Sequence, residues 1–95
     1  MIEIARLRFS IGELVATPGA LETLADAGQS PMVFVARHIR GDWGDCCPED
    51  RQANEDALRD GERLLSVYHT SKGVKFWIIT EADRSSTCVL LPEEY

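Results

Sequence analysis

Cysteine is scarce in this 95-residue chain: three in all, two of them adjacent (Cys46, Cys47). An odd count with a neighbouring pair makes no disulfide framework, and it fits a reducing compartment. Structural zinc sites space their paired ligands by about two to four residues. The Cys46–Cys47 pair has no such gap, and Cys88 stands alone as a small apolar strand residue. Long apolar runs are also missing. None approaches the roughly 20 residues of a membrane span, and the first residues carry Glu3, Arg6, Arg8 and Glu13, unlike a secretory leader. A cytoplasmic location is the expectation.

A basic excess is lacking too. The net charge is −6, which argues against a general nucleic-acid binder. The acids alternate with Arg and Lys, so there is no solvating acidic tail and no phosphate-like carboxylate array. Catalytic templates are absent as well: no glycine-rich phosphate loop, no nucleophile elbow, no HExxH. A pairing of Cys46 or Cys47 with His38 or His69 is conceivable, but nothing in the sequence orients the imidazole or activates the thiol. No cofactor is implied, and no repeat, low-complexity tract or linker divides the chain.

What is present describes one α+β domain over residues 1–95, with 44% apolar and 27% charged residues. So short a chain has one small core and little room for an enclosed cavity. Leu7, Phe9 and Ile11 alternate with polar residues as a short strand, which Val15 and Ala16 extend past Gly12. "TPGALETLADAG" predicts a helix over Pro18–Ala27, with Thr17 as cap, Gly28 as stop, and Leu21 and Leu24 facing inward. "PMVFVARHI" mixes strand-loving valines with helical spacing of Met32, Val35, Ala36 and Ile39. Its Ser-Pro start and Arg40-Gly41 end decide for a helix. A third helix runs from Pro48 to Asp60 with a thin apolar face of Ala53, Ala57 and Leu58. "RLLSVYHT", "VKFWIIT" and "TCVLL" then form an antiparallel meander, with Phe76 and Ile78 on one face of the middle strand and Trp77 and Ile79 on the other.

Two polar segments are candidates for chemistry. "HIRGDWGDCC" holds His38, Asp42, Trp43 and Asp45, which meander topology brings to the same end of the sheet as His69. "TEADRSS" holds Glu81, Asp83 and Arg84 at the opposite end. In the first, the glycines suit turns, the aspartates can bond nearby amides or help cap the third helix, and Trp43 can plug the core edge. The competing reading makes His38, Asp42, Asp45 and His69 a divalent-metal set, although no recognised spacing supports it. In the second, Arg84 is expected to pair with Glu81 or Asp83 at the surface, the alternative being that Arg84 and Glu81 read a ligand.

"ATPGALETLADAG", "RHIRGDWGD", "RLLSVY" and "WIITEADRSSTCVLLPEEY" together resemble a family of small bacterial plasmid-related proteins, over about Ile11 to Tyr95. The resemblance implies a bacterial accessory protein of mobile elements and carries no catalytic residues with it. The function expected is a non-enzymatic module that binds a protein partner or itself through a sheet face or edge, with no membrane or nucleic-acid partner. The alternatives are an RNA-targeting toxin using Arg84, Lys75 and His69, and a metal-dependent hydrolase at the first segment.

Overall fold

The computed structural model describes residues 7–95; Glu3 and Arg6 lie outside them. The fold is α+β: β1 (Glu13–Ala16), α1 (Pro18–Asp26), α2 (Pro31–Ile39), α3 (Pro48–Asp60), β2 (Leu64–His69), β3 (Lys75–Thr80), β4 (Ser86–Leu90) and a one-turn 3-10 helix (Pro92–Glu94). Each α-helix opens on proline, whose missing N–H costs nothing in the first turn. Thr17 Oγ1 and Ser30 Oγ cap α1 and α2 by accepting from Ala20 N and Met32 N, both at 3.2 Å. Cys47 stands at the cap of α3 without a side-chain bond, and Asp45 does not supply one. α3 ends at Gly61 in the left-handed conformation that closes helices.

Two helices present different faces from those their spacing suggests. α1 buries Ala20 and Leu24, one turn apart, and leaves Leu21 about half exposed. α2 buries Phe34, Val35 and His38 and leaves Met32 exposed. Of the stripe Met32, Val35, Ala36 and Ile39, Val35 is buried and Ile39 packs against the core, while the larger Phe34 ring and the polar partners of His38 take the inward positions that Met32 leaves.

The four strands run in the order β1-β4-β3-β2. The C-terminal three form the expected antiparallel meander, and β1 adds a parallel edge beside β4. That strand begins later than its alternation suggests. Leu7–Ile11 is not paired; the ladder starts at Glu13, bonded to Ser85 O at 3.0 Å. Gly12 turns the chain there at φ +60°, pressed so close to Ser85 and Arg84 that a Cβ would collide with their carbonyls. Upstream, Arg8 N donates to Ile39 O at 2.8 Å, so the segment lies against the end of α2. The alternation of Leu7, Phe9 and Ile11 reflects that packing, with Phe9 against His38 and Trp43.

Strand periodicity then separates two faces. Tyr68, Phe76, Ile78 and Val89 join Ala20, Leu24, Phe34 and Val35 in the main core, beneath α1 and α2. A second cluster, Trp43, Cys46, Ala57 and Leu64, ties α3 to β2. On the opposite face, register aligns Leu65–Ile79–Cys88–Val15 in one row and Val67–Trp77–Leu90 in the next. Trp77, Ile79, Cys88 and Leu90 belong to neither core cluster. The Tyr95 ring meets Trp77 edge-on at 5.9 Å.

Candidate functional site

The segment from Arg40 to Cys47 lies along the outer edge of β2. Strand parity sends the backbone groups of Leu64, Ser66 and Tyr68 toward β3 and those of Leu65 and Val67 outward. Val67 N donates to Trp43 O at 3.1 Å, and Asp45 N donates to Val67 O at 2.6 Å. Gly44 thus makes a parallel bridge to Val67. It does so at φ +76°, with its Cα against the Val67 carbonyl and the Tyr68 ring, space that admits no Cβ. Leu65 is held by Asn54 of α3: Nδ2 donates to Leu65 O at 2.7 Å and Oδ1 accepts from Leu65 N at 3.0 Å. Unpaired strand edges invite other chains. Here a tryptophan corner and one amide side chain close the edge at Leu65 and Val67.

The corner is itself tied down. Trp43 is buried, and its Nε1 donates to Glu55 Oε2 at 2.8 Å. Glu55 also receives Arg8 at 2.9 and 3.1 Å, and these bonds, the one from Arg8 foremost, hold its carboxyl below the usual range. Asp42 takes Arg37 Nε at 2.8 Å and Gly44 N at 3.1 Å, and the Arg37 bond depresses its carboxyl. The Arg37 guanidinium lies 4.7 Å from the centre of the Tyr68 ring.

His38 belongs to a different assembly. It is fully buried, with Nδ1 2.6 Å from Ser66 Oγ and Nε2 2.9 Å from Thr80 Oγ1. Thr80 Oγ1 lies 2.7 Å from Thr87 Oγ1, and Thr87 Oγ1 donates to Ile11 O at 2.8 Å. The last bond orders the chain. A hydroxyl has one proton, so Thr87, donating to a carbonyl, must accept from Thr80. Thr80 must then accept from His38 Nε2–H, and in the neutral ring that burial favours Nδ1 accepts from Ser66. His38 is therefore the neutral Nε2–H tautomer. Burial, and secondly the charge of Arg84, lower its pKa to about 4. Ser66, Thr80 and Thr87 are all fully buried, so this serine–histidine pair faces no solvent.

Of the candidate residues, Asp45 and His69 do meet: Asp45 Oδ2 lies 2.8 Å from His69 Nδ1 at the surface. His38 is bonded to Ser66 and Thr80 instead, and Asp42 to Arg37. The four-residue metal set is not assembled, and among the described residues no group of three or more His, Cys, Asp or Glu could hold a metal ion.

In the second segment Arg84 does not pair with a carboxylate. It adopts φ +61° and donates to backbone carbonyls: Nη1 to Glu62 at 2.6 Å and Glu81 at 3.1 Å, Nη2 to Ala57 at 3.3 Å. The Ala57 carbonyl lies in the last turn of α3, where a cation complements the helix dipole, and Glu62 follows the Gly61 cap. Glu81 pairs with Arg63 at 3.3 Å, and Asp83 accepts from Ser85 N at 2.9 Å as a side-chain turn. The two segments meet directly where His38 Nε2 bonds Thr80 Oγ1, and again through Phe9, which stacks on Trp43 at 6.2 Å and carries the Arg84 guanidinium 5.8 Å from its ring centre. The RNA-directed set is likewise divided: His69 and Lys75 pair across β2 and β3, whereas Arg84 is bound to the end of α3.

The thiols are disposed differently. Cys47 is exposed, while Cys46 is buried and burial pushes its pKa up. Cys46 Sγ donates to Trp43 O at 3.3 Å, and among the described residues no hydrogen bond joins it to a histidine. An open apolar groove of about 440 Å³ between Leu7–Ile11 and Ile39 contains none of the candidate side chains.

No family model, curated protein or solved structure matches this chain.

The residues that organise these sites were hidden in ordinary positions. Ser66 lies between Leu64 and Tyr68, and Thr80 two residues after Ile78. Period-two counting sends both inward, and an inward hydroxyl needs a partner. Asn54 precedes Ala57 by three on the thin face of α3, which signals burial of a polar group but not its target.

Proposed function

We propose that this protein is a non-enzymatic interaction module that docks a protein partner on the sheet face carrying Leu65, Val67, Trp77 and Cys88. The observation that carries this reading is that face itself. α1 and α2 pack on the other side, while Leu65, Val67, Trp77 and Cys88 remain half-buried, with buried Ile79 and Leu90 completing their rows. Tryptophan supplies large, stiff contact area and is enriched where partners bind. The reactive side chains favour the same reading: His38, Asp42, Trp43 and Arg84 each hold the fold together. With its resemblance to plasmid-related proteins, the module fits an accessory role in the bacterial cytoplasm, on mobile elements. Among the described residues no helix is long and apolar enough to cross a membrane.

Photo-crosslinking in the cells that carry the gene tests the surface. A photoreactive residue at Trp77 or Cys88 should yield a discrete protein adduct, and the same residue at exposed Glu49 on α3 should not. Equal adducts at all three positions, or none at any, would refute the reading.

A further inference from the structure

The two edges of the sheet are treated differently. At β2 the outward backbone groups of Leu65 and Val67 are bonded by Asn54, Trp43 and Asp45. β1 is the opposite edge. In its parallel ladder, Glu13 N reaches Ser85 O and Thr17 N reaches Val89 O, both at 3.0 Å. This parity turns Glu13, Val15 and Thr17 toward β4, and it aims the N–H and C=O groups of Leu14 and Ala16 outward. Among the described residues no hydrogen bond joins those outward groups to another segment.

We infer that β1 is a self-pairing strand, through which two copies of this chain join antiparallel about a two-fold axis at Val15. The inference goes beyond the docking reading above: the second copy pairs at the β1 edge and leaves the Trp77 face uncovered. Three features fix the register. With the axis at Val15, Leu14 of one copy faces Ala16 of the other, and both pairs exchange N–H and C=O bonds wholly within strand residues. A register centred on Leu14 would bring in Gly12, whose φ of +60° is not extended. Glu13 then lies opposite Thr17, so no like charges oppose across the seam. Finally, Val15, 41% exposed, ends the row Leu65–Ile79–Cys88–Val15. Val15 meeting Val15 continues that row unbroken into the second copy, doubling the apolar face.

Sedimentation equilibrium on the purified protein tests this. The wild type should reach twice its 10.6 kDa chain mass with rising concentration. Val15→Lys and Val15→Glu, which set like charges face to face, should each halve that mass. An equimolar mixture of the two should restore it, which also shows that both variants fold. In the wild type, hydrogen exchange should slow with concentration at the Leu14 and Ala16 amides and stay unchanged at Val15, which bonds β4. A monomer at every concentration, a dimer indifferent to both substitutions, or concentration-independent exchange at Leu14 and Ala16 would overturn the inference. If the pure protein is monomeric while position 77 still crosslinks another protein in cells, self-pairing fails and the docking reading stands.

Discussion

Asn54 and Leu65 form a closed pair: one side-chain amide both donates to and accepts from the backbone of a single strand residue. The arrangement reproduces what a neighbouring strand would supply, using a helix in place of a strand. Asn54→Asp keeps the shape but replaces the donor with an oxygen facing the Leu65 carbonyl. The expected loss is about 2–3 kcal/mol of stability, since a buried polar group loses its partner and gains a repulsive one. Urea denaturation gives the value. A change under about 0.5 kcal/mol would show that the pair is dispensable.

Gly44 and Gly28 share a positive φ but not their surroundings. A Cβ on Gly28 meets nothing within 4 Å, whereas one on Gly44 strikes Val67 and Tyr68. Gly28→Ala should cost only the left-handed backbone penalty, roughly 1–2 kcal/mol. Gly44→Ala should cost clearly more, because the corner must leave β2. Thermal melts of the two variants side by side measure the difference, and equal shifts would contradict the account of the corner.

His38 makes stability depend on pH in a defined window. Its pKa falls from 6.5 to about 4 on folding, so the unfolded chain binds the proton first. The contribution is complete above about pH 6.5, declines as pH falls toward 4 and levels off below it. The amplitude is about 3 kcal/mol at 1.36 kcal/mol per pKa unit. His38→Gln should flatten this part of the profile. Chemical denaturation from pH 7 to 3.5 compares the two, and parallel curves would rule the histidine out as the cause.

Arg84 sets two effects of opposite sign against each other. Arg84→Gly relieves a non-glycine residue at φ +61°, worth roughly 1–2 kcal/mol. It also deletes charge-assisted bonds to the carbonyls of Ala57, Glu62 and Glu81, each of which is worth about 1.5–3 kcal/mol. The bonds outweigh the strain, so the variant should be less stable. With the guanidinium gone, the His38 pKa should rise, which NMR titration of the imidazole would detect. A stabilised variant would sink the argument.

The thiols should react in order of exposure. An aromatic disulfide reagent should modify Cys47 rapidly in the folded protein, with Cys46 reached only on unfolding. Rapid modification of Cys46 in the native state would contradict its burial under Trp43.

The sequence carried the elements whose signals are local. Thr17-Pro18, Ser30-Pro31 and Gly61 mark helix ends by their own chemistry, and strand alternation ordered the meander. It misled where side chains answer to distant partners. Leu7–Ile11 alternates because Phe9 packs on His38 and Trp43, not because it pairs in a sheet. The candidate site followed the same pattern. Reading "GDWGD" as a built corner agrees with its geometry, and Asp45 does reach His69. What it builds, a substitute strand for β2, depends on Val67, more than 20 residues downstream. Arg84 showed no local sign of its carbonyl partners, since backbone acceptors have no residue type.

The cover over β2 also has an order of assembly. β2 and β3 join through a short turn, while Gly44 must close a much longer loop to reach Val67. Short loops close first, so the hairpin exists for a time with its outer edge bare. Slowing the corner lengthens that interval without changing the finished fold. A substitution near Gly44 that leaves its bridge to Val67 intact is therefore expected to appear first as lost yield during refolding, with any soluble fraction folded normally.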